Sequence, residues 1–234
     1  MATIKRAGVP QNQAGLANPI QFSPNYKLVK VAQTMGVRDL SKMQITTRQI
    51  YHAIKLQAST QNQTITFFQN VNTTNFPFTN LTENKLQAGE AIAVERAYLS
   101  ILAVDNTTPA NPKVVDVLPA EFLQITKPLL RGDFDLQIDR QTVTKKINTT
   151  SWYAPFNKDA NFGANVLEPV ATVFYATGQS VYHFDNSFVI IPQIEFTATL
   201  TIPPINPAYL PGIDLYCMLN LEGLGCLFNP KANY

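Results

Sequence analysis

The side chains that most often carry chemistry are few in this sequence and lie far apart. The 234 residues include two histidines, His52 and His183, and two cysteines, Cys217 and Cys226. Neither histidine stands at a spacing typical of a metal site or a catalytic triad, and no nucleophile-elbow, zincin, P-loop or dinucleotide-binding motif is present. We therefore predict no catalytic residue, no metal site and no cofactor, and we interpret both histidines as structural side chains.

The two cysteines are nine positions apart, with no further Cys or His beside them. A zinc site needs more ligands than this pair supplies. Two buried, reduced thiols are the favoured interpretation. A disulfide between neighbouring strands stays open as an alternative, since it depends on geometry that the sequence does not supply.

Three acids, Asp133, Asp135 and Asp139, fall on one side of a predicted strand. Residues i and i+2 of a strand lie roughly 6 to 7 Å apart, so Asp133 and Asp135 are close enough to share a Ca²⁺ ion. A solvated strand face explains the same pattern and is favoured. The tripeptide Arg131-Gly132-Asp133 matches the motif that integrins bind, but three residues are too few to assign a function.

Charge divides the chain near residue 60. Up to that point there are eight basic residues and one acid, Asp39, a net charge of +7, whereas the remainder carries −5. Such an asymmetry is expected when one surface faces a polyanion, either nucleic acid or anionic lipid headgroups, although a solvated face gives the same pattern. No motif for sequence-specific readout accompanies it. The candidate polyanion-facing residues are Lys5, Arg6, Lys27, Lys30, Arg38, Lys42, Arg48 and Lys55.

Residues 1–17 lack a basic flank followed by a continuous apolar stretch, so we predict no signal peptide there, and no window of about 18 apolar residues predicts a spanning helix. We therefore expect the protein to be made in cytoplasm and kept there until assembly. Five Asn-x-Thr sequons are interpreted as turns rather than glycan sites. They begin at Asn62, Asn72, Asn80, Asn106 and Asn148.

Hydrophobic periodicity predicts strands through most of the chain. It alternates most clearly over 133–139 and 194–202, with Pro192 at the edge or start of the second strand. A long strand over 90–104 loses its alternation at Glu95-Arg96, which predicts a bulge. Segment 26–40 fits either a short helix or an irregular strand, and 151–169 is interpreted as a packed loop. Further strands are predicted over 45–56, 64–69, 114–126, 141–147, 170–175, 180–184 and 213–221, with a resumption near Leu227.

Roughly ten short strands joined by loops of unequal length are typical of a β-sandwich with Greek-key crossovers. The predicted fold class is all-β, a single jelly-roll β-sandwich with an extended basic N-terminal arm. The arm spans residues 1–44 and the jelly-roll domain spans 45–234. Two jelly rolls would need about sixteen strands, which is more than this chain provides.

The strand patterns themselves resemble those of jelly-roll capsid proteins of icosahedral bacteriophages. The segments FDLQID, FVIIPQIEFTATLTIP and IDLYCMLNLEGLGCLF are similar to the closing strands of such proteins, and TITFFQN and FTNLTENKLQAGEAIAVERAYLSIL to the opening ones. The resemblance covers residues from about 60 to 228. It implies a subunit repeated in a shell, with the basic arm directed toward genome or an internal membrane.

The function expected from these observations is that of a structural virion protein, a non-enzymatic capsid subunit. Its expected partners are copies of itself and other capsid proteins, with non-specific contact to genomic nucleic acid or lipid headgroups. The alternative is a receptor- or carbohydrate-binding jelly roll, in which Trp152, Tyr153 and Phe156 form a sugar-stacking loop. A cupin-like enzyme is disfavoured because the histidines lack a ligand set.

Overall fold

The computed structural model describes residues 24–37, 41, 43–69, 71, 78–107, 113–115, 128–129, 131–152, 181–205 and 212–228. These residues form one α-helix, one short 3-10 helix at Thr149–Trp152 and nine strands, so the all-β prediction is confirmed. No helix in these ranges is long and apolar enough to cross a membrane. The elements are α1 (Pro24–Thr34), β1 (Gln44–Lys55), β2 (Gln63–Phe67), β3 (Glu90–Asp105), β4 (Lys113–Val115), β5 (Asp133–Ile138), β6 (Gln141–Asn148), β7 (Val181–Ile190), β8 (Phe196–Ile202) and β9 (Ile213–Leu227).

The strands form two sheets in which every pairing is antiparallel. The first sheet has the order β1-β9-β3-β4, and β7 pairs with β3 beside β4. The second sheet has the order β2-β8-β5-β6. Each sheet therefore joins strands from distant parts of the chain, which is characteristic of crossover connections between two layers.

The pairing is nested once the short strand β4 is set aside. The first strand, β1, pairs with the last, β9, and β2 pairs with β8. The third strand, β3, pairs with β7, and the central strands β5 and β6 form a hairpin. The chain thus follows the course of one long hairpin that is folded over into two sheets.

One core fills the space between the sheets. Ile50, Leu219 and Leu221 from the first sheet lie in the same buried cluster as Phe134 and Leu200 from the second. The alternation predicted over 133–139 and 194–202 is confirmed by the burial pattern of β5 and β8. Burying one side of each strand is what stabilises the sandwich, since about 25 cal/mol is gained for each Å² of apolar surface removed from water.

The bulge predicted at Glu95-Arg96 is also confirmed. The register of β3 shifts between Val94 and Arg96 against both of its neighbours, β7 and β9. Gly223 of β9 lies opposite this bulge, where an added Cβ would stand 1.9 Å from the carbonyl oxygen of Ala93. The close approach of the two backbones therefore requires glycine at this position.

Strand boundaries differ from the sequence interpretation at β7, β8 and β9. The strand predicted over 180–184 continues to Ile190. Pro192 lies in a turn between β7 and β8, and Gln193 in this turn has a φ of 61°. The chain passes here from the first sheet to the second, so the proline marks a corner. The final strand does not stop near Leu221; β9 is continuous to Leu227 and pairs along its length with β1 or β3.

Candidate assembly surfaces

The helix α1 lies on the side of the first sheet that faces away from the second sheet. Its buried residues Leu28 and Ala32 share a cluster with Ala91, Ala93 and Cys226. Alternate residues of a strand point to opposite faces, and the neighbouring Ile92 and Val94 belong to the central core. Residues 24–34 of the predicted arm are therefore helical and packed onto the body. Residues 1–23 lie outside the described part of the chain.

Lys27 holds α1 to the sheet. Its Nζ donates hydrogen bonds to Asn186 Oδ1 and to the backbone oxygen of Ser187, and it lies 3.3 Å from Ser187 Oγ. Partial burial lowers the pKa of Lys27. This candidate polyanion-facing residue is thus engaged with β7.

Arg48 reaches across the central strand of the first sheet. Its Nη2 lies 2.7 Å from Glu90 Oε2, so a residue of β1 is bonded to a residue of β3 with β9 between them. The side chain passes over Gly225, where an added Cβ would stand 2.5 Å from Arg48 Cβ. Glycine at 225 therefore leaves room for the arginine.

The other candidate polyanion-facing residues divide into two groups. Lys55 Nζ lies 2.7 Å from Asp214 Oδ2, whereas Lys30 is exposed on α1. Three of the four described candidates, Lys27, Arg48 and Lys55, thus bond to other residues of the protein. Lys30 and Lys55, whose side chain is 43% exposed, both reach solvent. The remaining four are outside the described residues: Lys5, Arg6, Arg38 and Lys42.

His52 has a structural position beside a strained turn. Its Nδ1 accepts a hydrogen bond of 2.7 Å from the backbone N–H of Phe68, and the two rings lie 5.9 Å apart. Phe68 is fully buried and has a φ of 61°, a conformation that phenylalanine rarely adopts. Burial lowers the pKa of His52 to about 4. His183 is exposed on β7, opposite Arg96.

The three acids Asp133, Asp135 and Asp139, for which a shared Ca²⁺ site was the less favoured interpretation, do not all lie on one strand. Asp133 and Asp135 belong to β5, but Asp139 lies in the turn after it, where Asp139 and Arg140 have φ values of 46° and 64°. Asp135 Oδ1 accepts a hydrogen bond of 2.7 Å from the backbone N–H of Lys146. No group of three His, Cys, Asp or Glu side chains that could hold a metal ion occurs among the described residues.

Both cysteines are buried, free thiols of β9. Cys217 belongs to the central core, whereas Cys226 belongs to the cluster under α1 on the opposite face. Nine residues along one strand correspond to roughly 30 Å, so the alternative of a disulfide between them is wrong. Burial raises the pKa of Cys217 to about 12 and that of Cys226 to about 11.

Trp152 packs in the core and is only 2% exposed. Its ring lies 4.8 Å from the ring of Phe134 and 5.7 Å from that of Tyr182, and it stacks on the latter. The expectation of a surface sugar-stacking loop is therefore wrong for this residue. The other two members of that loop, Tyr153 and Phe156, lie outside the described residues.

A network of uncharged polar side chains covers the middle of the outer face of the first sheet. Gln49 Nε2 donates hydrogen bonds to Tyr98 Oη at 2.6 Å and to Asn220 Oδ1 at 2.8 Å. Asn220 Nδ2 lies 3.1 Å from Ser100 Oγ, and Asn220 is 2% exposed. Sequence reasoning missed this network because its members come from three strands that are distant in sequence.

The segment 78–80 covers about half of the β1 edge that faces away from β9. The backbone N–H of Ala53 donates to Phe78 O, the N–H of Tyr51 donates to Asn80 Oδ1, and Asn80 Nδ2 donates to Gln49 O. Asn80, one of the sequon residues, thus replaces a neighbouring strand. The segment 78–80 ends this cover at Gln49, and residues 44–47 are exposed.

No protein-family model matches this chain, and neither does any curated protein.

Proposed function

We propose that this chain is a structural virion protein, a capsid subunit with a single jelly-roll domain. The nested pairing β1–β9, β2–β8, β3–β7 and β5–β6 carries this proposal. A jelly roll contains eight strands arranged as two Greek keys in two sheets. The eight strands that remain when β4 is set aside have the pairing that follows when an eight-stranded hairpin is rolled into such a sandwich.

Jelly rolls occur in viral capsids, lectins and cupins, so the fold alone does not assign a function. A cupin-like site would rest on the histidines, but His52 holds the backbone of Phe68 and His183 lies on a strand surface. A lectin-like site would rest on an exposed aromatic ring, and Trp152 is instead enclosed between Phe134 and Tyr182. These contacts favour a protein that acts through its surfaces.

In the proposed shell, copies of this chain contact one another and other capsid proteins through loops, strand edges and the arm. The arm and the face of the first sheet that carries α1 point inward, toward genomic nucleic acid or the headgroups of an internal membrane. Lys30 on α1, together with Lys5 and Arg6 before the helix, offsets negative charge there without recognising a nucleotide sequence. The charge asymmetry between the first 60 residues and the rest supports this orientation.

Light scattering coupled to gel filtration tests the proposal. We expect the purified full chain to form large assemblies as its concentration rises, with or without a polyanion such as heparin. A chain that stays monomeric at several mg/mL under both conditions would contradict the proposal. Binding of a glycan at micromolar concentration by such a monomer would favour the receptor-binding alternative.

A further inference from the structure

The free half of the β1 edge has the features of a pairing site. Hydrogen bonds to the segment 78–80 engage the backbone of Gln49, Tyr51 and Ala53, which shows that odd-numbered residues of β1 direct their backbone groups away from β9. By the same alternation, the N–H and C=O groups of Ile45 and Thr47 point outward. No hydrogen bond joins those groups to another described residue, and Ile45 is 41% exposed.

Residues 44–47 contain none of the features that prevent another strand from pairing with a sheet edge. Natural edge strands carry lysine, proline, bulges or inward-pointing charges that prevent another strand from adding. Residues 44–47 are Gln-Ile-Thr-Thr, and the next charge, Arg48, is drawn over β9 to Glu90. Three β-branched side chains in succession favour an extended strand.

A second edge in the same protein shows the contrast. The strand β6 forms an edge of the second sheet and carries Lys145 and Lys146. Its pairing with β5 has two register shifts, and Lys146 has a φ of 51°. The β6 edge is thus protected by charge and by irregularity, whereas the free half of β1 has neither.

We propose that residues 44–48 of β1 pair with the same residues of a second copy of this chain, antiparallel across a twofold axis at Thr46. This inference rests on the proposed function in that it names one contact between copies. The first sheets of the two copies then become one continuous sheet. The occupant is a second copy because the segment is complementary to itself in this register.

The register follows from which groups point outward. Placing Thr46 opposite its own counterpart sets Ile45 opposite Thr47 of the second copy and Gln44 opposite Arg48. Ile45 of each copy then exchanges two backbone hydrogen bonds with Thr47 of the other copy, which gives about four hydrogen bonds in all. β-branched side chains face each other in these pairs, which is favourable, and no like charges meet. An axis at Thr47 instead would set Ile45 opposite Gln49, whose backbone oxygen already accepts a hydrogen bond from Asn80. An axis at Ile45 would set Thr47 opposite Met43, which lies outside β1.

The contact is short because the cover over Gln49 to Ala53 stops the second strand from extending further. A pair of five-residue strands buries far less than the roughly 1,000 Å² of a stable interface. A single pair is therefore weak in solution. In a shell, many simultaneous contacts raise the effective concentration and make the same pair effective.

Cysteine crosslinking tests the register directly. Residues opposite each other in a non-hydrogen-bonded antiparallel pair have Cα atoms about 4.5 Å apart, within the range that a disulfide spans. We expect Thr46→Cys to form a covalent dimer under mild oxidation at least tenfold faster than Thr142→Cys, an exposed threonine on the protected β6 edge. Both native cysteines are buried and do not interfere. Equal crosslinking of the two folded variants would overturn the proposal.

A second pair of variants tests the hydrogen bonds. Thr47→Pro removes an outward N–H, which an edge position tolerates, whereas Thr47→Val keeps the N–H and the branched shape. We expect Thr47→Pro to weaken self-association about tenfold or more and Thr47→Val to leave it unchanged. Equal self-association of both variants would overturn the proposed pairing. Assembly that persists in both variants would leave the capsid proposal standing on other contacts, whereas a wild-type chain that never assembles would overturn both.

Discussion

His52 Nδ1 accepts a hydrogen bond of 2.7 Å from the backbone N–H of Phe68. A protonated imidazole has no lone pair at Nδ1, so this bond requires the neutral ring. Burial lowers the pKa of His52 from 6.5 to about 4. The histidine therefore fixes a buried residue of positive φ at the end of β2 and does so only while it is uncharged.

This relationship predicts a loss of stability in mild acid. Below pH 6.5 the unfolded chain binds a proton at His52 that the folded protein does not bind, so the free energy of unfolding falls as the pH drops from 6.5 toward 4. Because the ring is partly exposed, we expect a contribution of about 1 to 2 kcal/mol after solvent screening. Urea titrations at pH 7 and 4.5 measure it.

His52→Asn is the matched variant, because its side-chain oxygen can accept the same bond but does not titrate. We expect a smaller difference between the two pH values for this variant than for the wild type. The same pH dependence in both proteins would show that His52 does not cause it.

The two glycines of β9 that face crowded neighbours are predicted to differ in their tolerance of alanine. A Cβ at Gly223 meets the backbone oxygen of Ala93 at 1.9 Å, and backbone atoms at a bulge have little freedom to move. A Cβ at Gly225 meets Arg48 Cβ at 2.5 Å, which moves only with the backbone of the edge strand β1, and Arg48 Cδ at 2.8 Å, which can move once the bond to Glu90 is given up.

We expect Gly223→Ala to lower the free energy of unfolding by about 3 kcal/mol or more. Gly225→Ala should cost about 1 to 3 kcal/mol, in the range of ordinary overpacking. Urea denaturation of the two variants gives the comparison, and a larger loss for Gly225→Ala would contradict this account of the sheet.

The cysteines are predicted to be unreactive in the folded protein. Both thiols are buried and burial raises the pKa of each, so thiolate is scarce at pH 8. We expect a thiol reagent to modify neither side chain while the protein stays folded and to modify both once urea unfolds it. Modification of fewer than two thiols in non-reducing urea would indicate a disulfide and contradict their placement on opposite faces of β9.

Trp152 is predicted to stabilise the core without contacting a ligand. It is the only tryptophan in the chain, so its fluorescence reports on this site alone. We expect emission that is shielded from acrylamide and a loss of about 3 to 5 kcal/mol in Trp152→Ala, with a clearly smaller loss in Trp152→Phe. A shift in emission on adding soluble glycans would instead indicate an exposed sugar-binding ring.

Local patterns allowed most strands to be predicted from the sequence, because burial on one side of a sheet imposes an alternation that neighbouring residues display. The bulge at Glu95 and the buried faces of β5 and β8 were found in this way. Contacts between side chains of different strands could not be predicted from these local patterns. The sequence around Arg48 does not indicate its bond to Glu90, because that bond depends on β9 lying between β1 and β3. The sequence around Gln49 likewise does not indicate its contact with Asn220, because that contact depends on β9 pairing with β1.

The candidate surfaces were predicted less well for the same reason. Basic residues of the first 60 positions formed one group in the sequence, but Lys27, Arg48 and Lys55 each bond to a residue more than 40 positions away. The segment around Asn80 that covers the β1 edge is polar and rich in turn-forming residues, which is equally typical of an ordinary loop. Only the paired structure separates the covered half of that edge from the free half.

Electron microscopy of the purified, concentrated full chain tests the central claim most directly. The capsid proposal predicts closed shells of uniform diameter, in which density for α1 and the residues before it lies on the inner surface. Monomers alone, or open aggregates without a repeating subunit arrangement, would contradict it.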